Sequence, residues 1–147
     1  MATRDNIVVL VTCGTASEAE RIARALVEKR LAACVNLFES IVRSIYRWKG
    51  RIESAPEHLL IIKTTRRRLP DLQKEVERLH SYDVPEVIAL SVTAGGQKYL
   101  DWLGENVRVD RAAASRRKSG ASVRPAPEQA EEMKPLDLLP EEEKKPN

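Results

Sequence analysis

The run Ile7-Val8-Val9-Leu10-Val11 constrains this chain more than any other segment. Five consecutive apolar residues, mostly β-branched, are too few for a buried helix and carry no polar alternation. They read as a central strand covered on both faces. Thr15-Ala16-Ser17-Glu18 follows at once and reads as a capping box. The Thr15 hydroxyl can accept the Glu18 N–H, and the Glu18 carboxylate can reach back to the start of the helix. Ala19, Ile22, Ala23, Leu26 and Val27 then recur at helical spacing, with Glu20, Arg21, Arg24 and Glu28 on the outside.

The next segments complete a pattern. Ala33 to Trp48 reads as one long second strand, interrupted by Lys49-Gly50, where glycine takes positive φ cheaply in a hairpin turn. Arg51-Ile52-Glu53 resumes extended structure. Pro56 is expected to break or bulge it, because proline cannot donate to a ladder. Glu57 to Thr65 is the third strand. Leu69, Leu72, Val76 and Leu79 share one helical face, and Pro70 suits its first turn. Val87 to Val92 is a fourth strand, stopped by Gly95-Gly96, and Tyr99 to Leu103 suggests a short amphipathic helix.

The order β-α-β-β-α-β-α is the split βαβ pattern of an α+β, ferredoxin-like fold with an antiparallel sheet. Right-handed crossovers set the expected sheet order as 4-1-3-2, with the helices on one face. The domain occupies residues 1–110. Residues 111–147 differ: they hold five of the eight prolines, no aromatic residue, eight Lys/Arg and seven Asp/Glu. That composition is expected of a charged Pro/Ala/Glu/Lys-rich disordered tail.

Charge and composition exclude several function classes. Of 25 basic and 22 acidic residues, the first 110 positions carry 17 and 15, and a near-neutral domain is not built for nucleic acid. No apolar run reaches membrane-span length. The N-terminus has no apolar signal-peptide region, and Cys13 and Cys34 form neither a CxxC nor a paired zinc spacing. A cytoplasmic protein with reduced thiols is expected. Strand 1 carries no aromatic for base stacking, which argues against RNA recognition. Gly14-Thr15-Ala16-Ser17 offers no arginine cradle for phosphate chemistry, and no enzyme is expected. No GxGxxG or GxxxxGK[ST] loop is present, and no organic cofactor is expected.

Leu79-His80-Ser81-Tyr82-Asp83-Val84-Pro85-Glu86 holds an imidazole, a phenol and two carboxylates between a helix and a strand. In the expected topology Cys13 ends strand 1 where His80 ends the second helix, so Cys13, His80, Tyr82, Asp83 and Glu86 converge. Cys34 starts strand 2 at the opposite end, too far for a disulfide. Thiolate and imidazole together suit copper or zinc. Each residue also has a plain role: Cys13 as a small buried hydrophobe, His80 at a helix C-terminus, Tyr82-Asp83 in a turn. His58, beside Glu57, reads as a surface strand residue. Arg66-Arg67-Arg68, at a helix start, can face solvent or hold an anion with free N–H groups.

Leu31-Ala32-Ala33-Cys34-Val35-Asn36, Ser44-Ile45-Tyr46-Arg47-Trp48-Lys49-Gly50, Leu60-Ile61-Ile62-Lys63-Thr64 and Tyr82-Asp83-Val84-Pro85-Glu86 resemble, in order and spacing, the CutA family of divalent-cation tolerance proteins. Tyr99-Leu100-Asp101-Trp102-Leu103 fits as well, and the resemblance covers about residues 6–106. It implies a homotrimer joined through edge strands, which a long exposed strand 2 would otherwise leave open. It implies Cu(II) or another divalent cation as ligand and a role in metal-ion tolerance or response. Cys13 and His80 fall on copper-associated positions, and Leu79 stands where some members carry a second histidine. Trp48, Lys63, Tyr82, Asp83 and Glu86 are expected to line the cleft. The alternative is a regulatory or signalling module, PII-like in shape, that binds a small anion through Lys63 and Arg66 to Arg68, or a partner protein.

Overall fold

The computed structural model describes residues 5–109, so the expected tail lies outside the described residues. The elements are β1 (Asn6–Cys13), α1 (Ala16–Glu28), β2 (Cys34–Leu37), β3 (Val42–Trp48), β4 (Arg51–Thr65), α2 (Leu69–Leu79), β5 (Ile88–Ser91) and α3 (Gln97–Asn106). The sheet runs β2-β4-β1-β5 with β3 also on β4, and every pairing is antiparallel. This is an α+β architecture with β1 at its centre, in the strand order expected from the sequence.

β1 is central but not equally covered on both faces. Ile7, Val9, Val11 and Cys13 are fully buried, whereas Val8, Leu10 and Thr12 are half-buried. The inward set packs with Ile22 and Leu26 of α1, Leu60 and Ile62 of β4, and Leu72 and Val76 of α2 in one core. Burying each such side chain contributes about 1.5–3 kcal/mol. Ala33, Leu103 and Val107 form a small second cluster that ties α3 to the start of β2. Val27, counted on the apolar face of α1 by spacing, is 43% exposed at the edge of that face.

Two local expectations are corrected. The long second strand is two strands. Leu37 pairs with Leu60 and Val42 with Glu57, so four residues, 38–41, lie opposite two, 58 and 59. The surplus loops out as a wide bulge, and Phe38 keeps one ladder bond to the Leu59 carbonyl at 3.2 Å. Pro56, by contrast, breaks nothing: β4 is continuous for 15 residues. In its first half β4 has β3 on one side and no strand on the other, so the missing N–H can face the open side.

The β3–β4 turn is as tight as expected. Trp48 pairs with Arg51, leaving Lys49 (φ 48°) and Gly50 (φ 77°) as a two-residue loop with both residues left-handed. The hairpin extends past the end of β1, where Cys13 pairs with His58. Cys34 pairs with Lys63 nearer the other end of β4, and both cysteines are free. Among the described residues no helix is long and apolar enough to cross a membrane.

Candidate functional site

The site forms where β1 ends, α1 begins and α2 runs into β5. Thr15 caps α1, its hydroxyl accepting the Glu18 N–H at 3.2 Å. The second half of the expected box is not made. Instead the Glu18 carboxylate turns to the α2–β5 loop, where Oε1 accepts the Ser81 N–H at 2.9 Å and Oε2 the Ser81 hydroxyl at 2.8 Å. Burial raises the Glu18 pKa. The Ser81 amide and hydroxyl, with His80 and Arg21 nearby, outweigh it and hold the carboxyl below its usual value.

His80 leaves α2 in an extended conformation, its own N–H still donating to Val76 O at 2.9 Å. That turn sends the imidazole inward, where its side chain has no exposure. Nε2 lies 2.7 Å from the Thr12 carbonyl, which can only accept, so Nε2 carries hydrogen. Nδ1 accepts the Tyr82 N–H at 3.1 Å and lies 3.2 Å from Glu18 Oε1. Cys13 is fully buried, and burial, then Glu18 and Glu57, push its thiol up to about 12. The donor atoms of Cys13, Glu18 and His80 all lie within 4.8 Å of one another.

Tyr82 separates this cluster from an open cavity. Its ring sits 4.8 Å from that of His80, and its hydroxyl donates to Glu57 Oε1 at 3.0 Å. Burial, then the Glu57 carboxylate, push the phenol up to about 12, so it stays a donor. Gly14 makes room for it: a Cβ there would stand 3.0 Å from the Tyr82 oxygen. Beyond lies a cavity of about 650 Å³ lined by Trp48, Tyr82, Asp83 and Glu86 together with Tyr46 and Glu57, and by neither Cys13 nor His80.

Three expectations are placed differently. Lys63 does not join the cavity. It pairs with Val8 and Cys34, five residues along β4 from His58, about 16 Å at the rise of a strand, and its amine bonds Asn36. His58 is half-buried beside Cys13 rather than a surface residue. The Arg66–Arg68 run is a 3-10 turn whose arginines diverge. Arg66 bonds Asp5 O through its N–H and Ser91 through its side chain. Arg68 bonds Arg30 O at 3.2 Å and pairs with Asp71 at 3.6 Å. Arg67 and Arg68 line a separate cavity of about 760 Å³, shared with Asp5, Asp101 and Glu105.

Glu18 and Glu57 are the functional candidates that sequence reasoning missed. Glu18 had a usable signal: with Ile22 and Leu26 it sits at four-residue spacing on the buried stripe of α1. Glu57 had none, because its burial depends on Tyr82, 25 residues later.

A soft thiol, an imidazole and a carboxylate are thus collected in the interior of a small α+β protein, next to an acidic and aromatic cavity. The sequence pattern of the family described as CutA1 divalent ion tolerance protein matches residues 7–106, and the chain belongs to that family. It is 50% identical over 99 residues to "Divalent-cation tolerance protein CutA" of Thermus thermophilus, covering 67% of this chain and 95% of that protein. It is 46% identical over 103 residues to "Protein CutA, chloroplastic" of Arabidopsis thaliana, covering 70% of this chain but 56% of that protein. A solved structure of the Thermus thermophilus protein superposes with a TM-score of 0.67 at 48% identity, covering 69% of this chain and 97% of the other. The "Periplasmic divalent cation tolerance protein CutA" of Archaeoglobus fulgidus gives 0.68 at 39% identity, covering 70% and 99%. The family is described by divalent-ion tolerance.

Proposed function

We propose that this chain is a homotrimeric, ferredoxin-like protein of the cytoplasm that binds divalent cations, copper first, and serves metal tolerance without catalysing a reaction. The observation that carries this reading is the Cys13–Glu18–His80 cluster: three potential ligand atoms within 4.8 Å, all on buried residues. The donor set fits a borderline or soft divalent ion better than magnesium or calcium, which want an oxygen shell. Cys13 would bind as thiolate, giving up its proton. His80 would offer Nδ1, giving up the Tyr82 N–H that it accepts in the metal-free chain, while Nε2–H stays on Thr12 O and orients the ring. Glu18 would supply the carboxylate that completes the set. Copper soaked into crystals, located by its anomalous signal, tests this. A peak among these three side chains is the expected result, and a peak elsewhere removes the assignment.

The trimer is supported by apolar surface on the hairpin and the edge strand. Ile45 is 69% and Ile52 63% exposed, and all of β5 is open, including Leu90 at 49%. Such strands are ordinarily covered by another chain. The cytoplasm is supported by the two free thiols.

The second reading, a regulatory module that binds a small anion or a partner protein, draws on Arg67 and Arg68 at their cavity. Arg108 joins them, but Asp5, Asp101 and Glu105 line the same space and offset the three guanidiniums, which places this reading second. Thermal-shift measurements against phosphate and small carboxylates separate the two.

A further inference from the structure

We propose that the cavity beside Tyr82 is a binding site for a small organic cation, an amine or quaternary ammonium carrying an apolar body. This is a different ligand from the metal ion assigned to Cys13, Glu18 and His80, and it does not rest on that reading. None of those three residues lines the cavity.

The charge is one-sided. Glu57, Asp83 and Glu86 line the space, and no lysine or arginine does. Low-dielectric walls of one sign concentrate counter-ions of the other. This sign argues against an anion here.

Glu57 supplies an independent indication. It is only 6% exposed, yet its one hydrogen bond is the neutral Tyr82 hydroxyl on Oε1, and no ion pair reaches it among the described residues. No fully buried side-chain oxygen lacks a partner, so the other Glu57 oxygen opens toward the cavity. That oxygen faces the cavity with no protein cation beside it, and a bound ammonium would supply a charged partner there.

The walls select the kind of cation. Trp48 and Tyr46, 47% and 42% exposed in one chain, line the cavity from β3 together with Ile45, which the proposed trimer would cover, and Tyr82 lines it from the α2–β5 loop. Aromatic faces attract weakly hydrated organic ammonium groups. A volume of about 650 Å³ suits a small molecule.

The test is calorimetric titration of the full chain with 2-phenylethylamine, choline and spermidine, with phenylacetate and 2-phenylethanol as anionic and neutral counterparts. At least one cation is expected to bind while both counterparts fail. Glu57→Gln is expected to weaken that binding by about tenfold or more. Trp48→Ala, on an exposed side chain, is expected to weaken it without loss of fold. Cys13→Ser is expected to leave it unchanged while altering copper binding, which separates the two sites. No binding by any of the three cations at millimolar concentration overturns the proposal. So does equal binding of the neutral alcohol, or amine binding that folded Glu57→Gln and Trp48→Ala both leave intact.

Discussion

Glu18 Oε1 accepts the backbone N–H of Ser81 at 2.9 Å across 63 residues of sequence. With the Ser81 hydroxyl on Oε2, the bond fastens the first turn of α1 to the loop that carries His80 and Tyr82. Both bonds are charge-assisted and part-buried. Glu18→Gln is therefore expected to lower unfolding free energy by about 1–3 kcal/mol, read from urea denaturation. Ser81→Ala, which keeps the backbone bond, is expected to cost less. A double-mutant cycle that returns no coupling between the two positions would show that the hydroxyl bond holds nothing together.

A second carboxylate sets the acid limit of the fold. Glu75 on α2 accepts Arg78 at 2.6 Å and Lys29, just past the end of α1, at 2.7 Å. The hydrogen bonds from Arg78 and then Lys29 lower its pKa from 4.5 to about 2. Glu18 is shifted in the same direction. A depressed folded-state pKa stabilises the fold above the unfolded value and is lost as pH falls through the folded value. Stability is thus expected to drop between about pH 4.5 and pH 2. Glu75→Gln should flatten that drop in urea midpoints taken across this range. An unchanged acid slope would show that the two cations do not act through Glu75.

How much of this was legible in the sequence follows from the range of the forces involved. Ile7 to Val11 and Thr15 to Glu18 announce a strand and a capped helix because short-range periodicity decides both. The direction taken by the Glu18 side chain was not legible. A glutamate at that position can close a capping box or reach a distant loop, and Ser81 makes the difference. The bulge at residues 38–41 is set by the pairing register of two strands against one, which no local pattern encodes. Lys63 belongs to a quoted motif, but strand rise carries it far from the cavity that Trp48, Tyr82, Asp83 and Glu86 share.

The two thiols differ in access. Cys13 is fully buried with its pKa at about 12, whereas Cys34 at the start of β2 is half-buried. Brief alkylation of the native, metal-free protein by iodoacetamide is expected to label Cys34 well before Cys13. Both should label in denaturant. Peptide mass spectrometry reads the result, and faster labelling of Cys13 would contradict the closed cluster.

The oligomer is tested on the hairpin. Ile45 and Ile52 are largely exposed in one chain, so Ile45→Glu and Ile52→Glu should leave a lone subunit folded. In a trimer that covers them, each substitution should lower the mass seen by light scattering while far-UV circular dichroism is unchanged. Wild-type protein that runs as a monomer at micromolar concentration would remove the trimer.

The central claim is that Cys13, Glu18 and His80 together hold a divalent ion. Its most direct measurement is copper titration, under one set of conditions, of wild type, Cys13→Ala and His80→Ala. Wild type is expected to show one tight site per chain and each variant at least about tenfold weaker binding, the scale on which losing a ligand or its support is felt. Equal affinity in all three proteins, each verified as folded, would contradict it.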